Sequence, residues 1–142
     1  MTFVFIVHLF TSLLMTGLCW FVQIVHYPLF HQVKLENFAN YERKNFVTGF
    51  VTVPLMVVEL ATGLFLLYHN PRLLYFINVG LLGVIGLSTM IYQVPIHLKL
   101  THIPTKKLID KLIVTNWIRT ISWTIRAILL AVILSNSLTM IR

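Results

Sequence analysis

Four long apolar runs, separated by short polar connections, constrain this chain more than any other feature of its sequence. A helix that crosses a bilayer needs ~20 predominantly apolar residues. Runs at about 2–27, 46–68, 73–96 and 112–140 each meet that requirement, and together with their connections they use up the 142 residues. Hydrocarbon offers backbone polar groups no partner, so each run must close its own hydrogen bonds as a helix or join a closed barrel. The runs are too long and too continuous for barrel strands. The expectation is one all-α domain over 1–142, a four-transmembrane-helix up-down bundle. Only 11% of residues are charged, against ~25% in an ordinary soluble domain.

The charges that remain are unevenly placed. Lys34, Arg43, Lys44, Lys99, Lys106, Lys107 and Lys111 flank the 31–45 and 98–111 connections, while the other side has Arg72 and Arg142. By the positive-inside rule the two basic connections face the cytoplasm. That makes a multi-pass membrane protein with both termini on the non-cytoplasmic side. The net charge of +7 is explained by this orientation, so no nucleic-acid partner is expected; the partner is the lipid bilayer. No basic start or small-residue cleavage site marks the first run as a cleaved signal, so it is expected to remain as a span. Cys19 is the single cysteine, which excludes an intramolecular disulfide and a cysteine cluster. The 31–45 segment reads as a helical overhang of the second span, and His69-Asn70-Pro71-Arg72 as a tight turn. Pro28 is read as closing the first span, and Pro54 and Pro95 as kinks.

Polar residues inside a span are costly and by default face the bundle interior. On the fourth run Asn116, Arg119, Thr120, Trp123 and Arg126 recur at helical spacing and form one stripe. Gln23 and His26 are spaced i, i+3, and Gln93 and His97 i, i+4, at the cytoplasmic ends of the first and third runs. These groups are expected to converge on a pocket in that leaflet, walled by Trp20, Tyr27, Tyr92 and Trp117. Glu59 lies 13 residues beyond Phe46, and Arg126 lies 13 beyond Ile113. At 1.5 Å per residue both are ~20 Å deep, so they are expected to form a buried ion pair. His8 belongs to the other half and is excluded from the pocket. That outer half reads as a nearly plain apolar bundle, and Gly80, Gly83 and Gly86 as packing positions.

Three kinds of chemistry suit such a pocket. Haem b could take His26 and His97 as axial ligands with Arg119 at its propionates; no other metal site is indicated. A quinone or another aromatic, hydrophobic small molecule could lie between Trp20, Trp117 and the amides of Gln23, Gln93 and Asn116. In either case His26, His97 and Arg119 are the candidate catalytic groups. The competing class is a small homo-oligomeric transporter using the embedded Glu59 and Arg126, and a third is an accessory subunit without catalysis of its own. The plain outer half counts against a transporter.

Four strings carry a resemblance: Gly17-x-x-Trp20-x-x-Gln23-x-x-His26-Tyr27-Pro28-Leu29-Phe30, Val53-Pro54-Leu55-Met56-x-x-Glu59, Gln93-Val94-Pro95-x-His97 and Asn116-Trp117-Ile118-Arg119-Thr120-x-x-Trp123-x-x-Arg126. Together they resemble an uncharacterised family of small four-helix bacterial integral membrane proteins, distantly similar to the anthrone-oxygenase-like group. That resemblance implies cofactor-poor oxidation of an aromatic substrate by molecular oxygen, an oxidoreductase-like activity. It carries over no catalytic residues. One departure stands out: the family places a histidine near the start of the second span, where this chain has Asn45.

Overall fold

The computed structural model describes residues 1–139. Among them are five helices and no strand: α1 (Thr2–Gln32), α2 (Leu35–Asn45), α3 (Thr48–His69), α4 (Leu73–Leu100) and α5 (Lys106–Thr139). All except α2 are long and apolar enough to cross a membrane. The expected end of the fourth span at Met140, and Arg142 with its charge, lie outside the described residues.

The spans run further than hydropathy implies at one end. Helix α1 passes straight through Pro28 to Gln32, α4 continues to Leu100, and α5 starts at Lys106, which leaves only 101–105 between them. Proline inside a helix clashes with the carbonyl four residues earlier. For Pro28 and Pro95 that carbonyl, on Ile24 and Ile91, lies within a π-turn, Val22–His26 before Pro28 and Thr89–Gln93 before Pro95. The wider turn moves the carbonyl aside, so the helix continues instead of stopping. The two π-turns also align His26 with Gln93.

Helix α2 is separate from α3, with a break at Phe46 and Val47. Its Phe38 enters a cluster with Tyr27 and Phe30 of α1, Ile96 and Leu100 of α4, and Ile109 and Leu112 of α5. This cluster ties α2 across the ends of three spans. We call this the α2 end. The opposite, termini end gathers Met1, Asn70, Arg72 and Leu138 around a second cavity.

Helix α1 packs against α3 and α5, and α4 packs against the same two. The bundle is apolar outside and polar within. Phe3 is 77% and Phe50 81% exposed, whereas His8, Ser12, Glu59, Asn78, Asn116 and Arg126 are buried. A hydrocarbon solvent favours this inversion, because it makes no demand that apolar groups hide and a severe one that polar groups do.

Candidate functional site

At the α2 end, residues of α1, α2, α3 and α4, with Arg119 of α5, line a cavity of about 160 Å3. Its wall includes His26, Tyr27, Glu42, Asn45, Gln93, His97 and Arg119. The two histidines thus meet at one cavity, together with Gln93 and Arg119.

What joins them was not legible from the spans. Glu42, fully buried on α2, lies 2.5 Å from Nδ1 of His97. A carboxylate beside Nδ1 fixes the proton there, so His97 donates from Nδ1 and Nε2 is left as an acceptor. Nε2 is 3.0 Å from the hydroxyl of Tyr27, which therefore donates to it. On the other side Nε2 of His26 donates to Oδ1 of Asn45 at 2.9 Å. The Asn45 amide nitrogen donates in turn to Glu42 at 3.4 Å. The result is one line of contacts, Tyr27–His97–Glu42–Asn45–His26. Its first three members follow the logic of an oriented base: a carboxylate holds the tautomer, and the imidazole accepts a proton from a hydroxyl.

Sequence reasoning missed Glu42 and gave Tyr27 only a walling role. The missed signal was the periodicity of 35–45: with Phe38 facing inward, Glu42 and Asn45 follow at i+4 and i+7 on the same face. Asn45 is the bridge between His26 and Glu42.

Arg119 contributes fixed positive charge. Its Nη1 donates to Oδ1 of Asn116 at 3.4 Å, its guanidinium lies 5.3 Å from the Trp123 ring centre, and its Nε has no protein partner. Several expected pocket residues lie elsewhere. Asn116 donates to Gln23 at 2.9 Å and Gln23 donates to the Ile113 carbonyl, a lock between α1 and α5 outside the cavity wall. Trp20 and Trp117 pack edge to face at 5.7 Å and are more than a third exposed on the outer surface. Trp20 donates to Thr124. Tyr92 packs against the aromatic cluster at the α2 end. A ring between the two tryptophans is therefore not what the geometry offers.

Haem does not fit this arrangement. Both nitrogens of His97 are taken by Glu42 and Tyr27, Nε2 of His26 is taken by Asn45, and the cavity is of single-ring size. Nor do three or more His, Cys, Asp or Glu side chains come together as a metal-binding set among the described residues.

Deeper in the bundle, Arg126 Nη1 and Glu59 Oε2 pair at 2.6 Å with both side chains fully buried. Trp123 Nε1 donates to the same carboxylate oxygen at 3.0 Å. The termini-side half is not the plain apolar bundle expected. His8, 1% exposed, contacts Oγ1 of Thr62 at 2.8 Å and Oδ1 of Asn78 at 3.1 Å, and Arg126 Nε donates to that same Asn78 oxygen at 3.4 Å. Hydropathy averages hide such groups, since one histidine or asparagine among twenty apolar residues barely lowers the mean.

Comparison of the chain with protein families, curated proteins and solved structures finds no match.

Proposed function

We propose that this is a multi-pass inner-membrane protein, an up-down bundle with its α2 end in the cytoplasm. In this reading its cavity binds the ring of a membrane-dissolved aromatic molecule, a phenol or a quinone, and exchanges a proton with it. The observation that carries the reading is the Tyr27–His97–Glu42 line on the wall of the cavity. A cavity of ~150 Å3 holds a benzene-sized ring, so about 160 Å3 suits one ring, with a second fused ring or other substituents reaching outward through its open side. Phe46 and Val53 both line the cavity and are exposed on the bundle surface, which supports entry of a lipid-dissolved molecule on that side.

The chemistry follows from the residues. A ring hydroxyl beside Tyr27 gives its proton to the tyrosine oxygen as Tyr27 passes its own to Nε2 of His97. The imidazolium so formed is stabilised by the Glu42 carboxylate, and the ring oxyanion by the Arg119 charge. A phenolate yields electrons to an oxidant far more readily than a phenol does. The step therefore agrees with the oxygenase-like class that the sequence resemblance implies, and with a quinone–quinol pair.

The single cysteine provides the test. Cys19 lines the cavity and is 3% exposed, so a bound ring blocks its thiol. Naphthol is expected to slow maleimide labelling of Cys19 in the folded protein and not in protein denatured by detergent. Equal labelling with and without naphthol contradicts ring binding in this cavity.

A further inference from the structure

The second cavity lies at the termini end and measures about 480 Å3. Phe5, Leu66 and Leu74 are among its lining residues. One helical turn further in along each of these helices come His8, Thr62 and Asn78, the buried group already described. The two cavities lie at opposite ends of the bundle: His26, Glu42, His97 and Arg119 line the first, and the His8 group lies one turn beyond the lining of the second.

Between them stands a thin apolar collar. Met15, Cys19, Ile85 and Trp123 are all buried and in mutual contact, with Leu55 and Met56 packed around them. Trp123 touches both sides: Arg119, a cavity residue, sits over its ring, and its indole nitrogen holds Glu59. From Ser12 to Cys19 on α1 is seven residues, or about 10 Å.

A pair that only fixed helix register would need Glu59 and Arg126 and nothing else. This cluster keeps more. Glu59 Oε1, Arg126 Nη2, Asn78 Nδ2 and Ser12 Oγ are buried without a protein partner. His8 is a third titratable group at the same level, held against Gly63, where a Cβ would lie 3.0 Å from its ring. Interhelical hydrogen bonds hold spans together, but the atoms left without a partner add nothing to that packing. Unsatisfied donors and acceptors grouped around a carboxylate and an imidazole are what a water-bridged proton carrier requires.

We propose that His8 and Glu59 form a proton-carrying site linking the termini-end cavity to the Tyr27–His97–Glu42 line, so that protons cross the membrane through this bundle. His8 accepts a proton from the termini-end cavity on one ring nitrogen and releases one from the other. Glu59 Oε1 receives it, and water crossing the collar beside Trp123 delivers it to the Tyr27–His97–Glu42 line. Glu59 returns to its starting state once it passes the proton on, and His8, left as its other tautomer, resets by a half-turn of its ring, so one proton entering at one face leaves at the other, and the membrane potential drives the transfer. The inference rests on the outer cluster and the two cavities and does not require a ring in the inner one.

The test is proton uptake by liposomes containing the full chain and an internal pH dye, with a potassium gradient and valinomycin setting the potential. It is run with and without naphthoquinone in the bilayer. Uptake above protein-free liposomes is expected, falling to that background in His8→Gln, which can keep hydrogen bonds but cannot titrate. The same loss is expected in the Glu59→Gln, Arg126→Met double variant, which removes both charges together. Cys19 protection by naphthol in each variant shows that the bundle is folded. Background uptake by the wild type in both bilayers overturns the proposal, as does undiminished uptake in both variants. Either result leaves ring binding standing, and loss of Cys19 protection with uptake intact would do the reverse.

Discussion

Glu42 Oε1 lies 2.5 Å from Nδ1 of His97, across 55 residues of sequence, with the carboxylate fully buried. The contact joins the short helix α2 to the far end of α4, and it determines which nitrogen of His97 faces Tyr27. Everything assigned to the α2-end cavity depends on it. Hydrogen bonds to charged groups are worth ~1.5–3 kcal/mol, so Glu42→Ala is expected to loosen α2 by an amount in that range. Amide exchange in 35–45 should rise while exchange in α3 and α5 stays as it is; unchanged protection of α2 would show that Phe38 alone holds it.

The ion pair at the bundle centre is expected to behave asymmetrically. Glu59→Gln leaves the Arg126 charge buried without its counter-ion, and breaking a buried pair costs ~3–5 kcal/mol. The double change Glu59→Gln, Arg126→Met removes both charges and should cost clearly less. Thermal unfolding in detergent reads the comparison, and equal damage in the two would contradict a pairwise role.

Glycine positions offer a contrast within one protein. A Cβ at Gly63 would sit 3.0 Å from Cε1 of His8, a ring held by Thr62 and Asn78. Gly63→Ala is therefore expected to cost ~1–3 kcal/mol as overpacking. At Gly80 and Gly83 a Cβ meets nothing within 4 Å. Alanine there should be neutral or gain up to ~1 kcal/mol of helix propensity. Equal effects at the three sites would contradict the packing described around His8.

How far the sequence foretells this molecule depends on which kind of signal carried each feature. The four apolar helices were legible because length and hydropathy act over twenty residues at a time. The Glu59–Arg126 contact was legible because two buried charges at equal depth have few ways to be accommodated. The helix ends were not, since Pro28 reads as a stop unless the π-turn at Val22–His26 is known. Glu42 was hidden by a category: 31–45 reads as a helical overhang of the second span, and its inward face appears only once Phe38 is seen to be buried. Trp20 and Trp117 were read as cavity walls because their spacing suits it, yet spacing fixes a face of a helix and not the neighbour it meets. His8 and Asn78 were passed over singly, and their meeting depends on three-dimensional packing between α1 and α4.

Those outward tryptophans give a further check. Trp20→Phe and Trp117→Phe are expected to leave naphthol protection of Cys19 unchanged, because neither ring lines the cavity. Loss of protection in either variant would return the ring to the tryptophan pair.

The most direct measurement is the absorption spectrum of naphthol bound to the purified protein, because naphtholate absorbs at longer wavelength than naphthol. The wild type is expected to show the naphtholate band at a pH where free naphthol is protonated. Tyr27→Phe and Glu42→Gln should bind naphthol, judged by Cys19 protection, and show only the protonated band. A protonated band in the wild type, or a naphtholate band that survives both substitutions, would contradict proton transfer through Tyr27, His97 and Glu42.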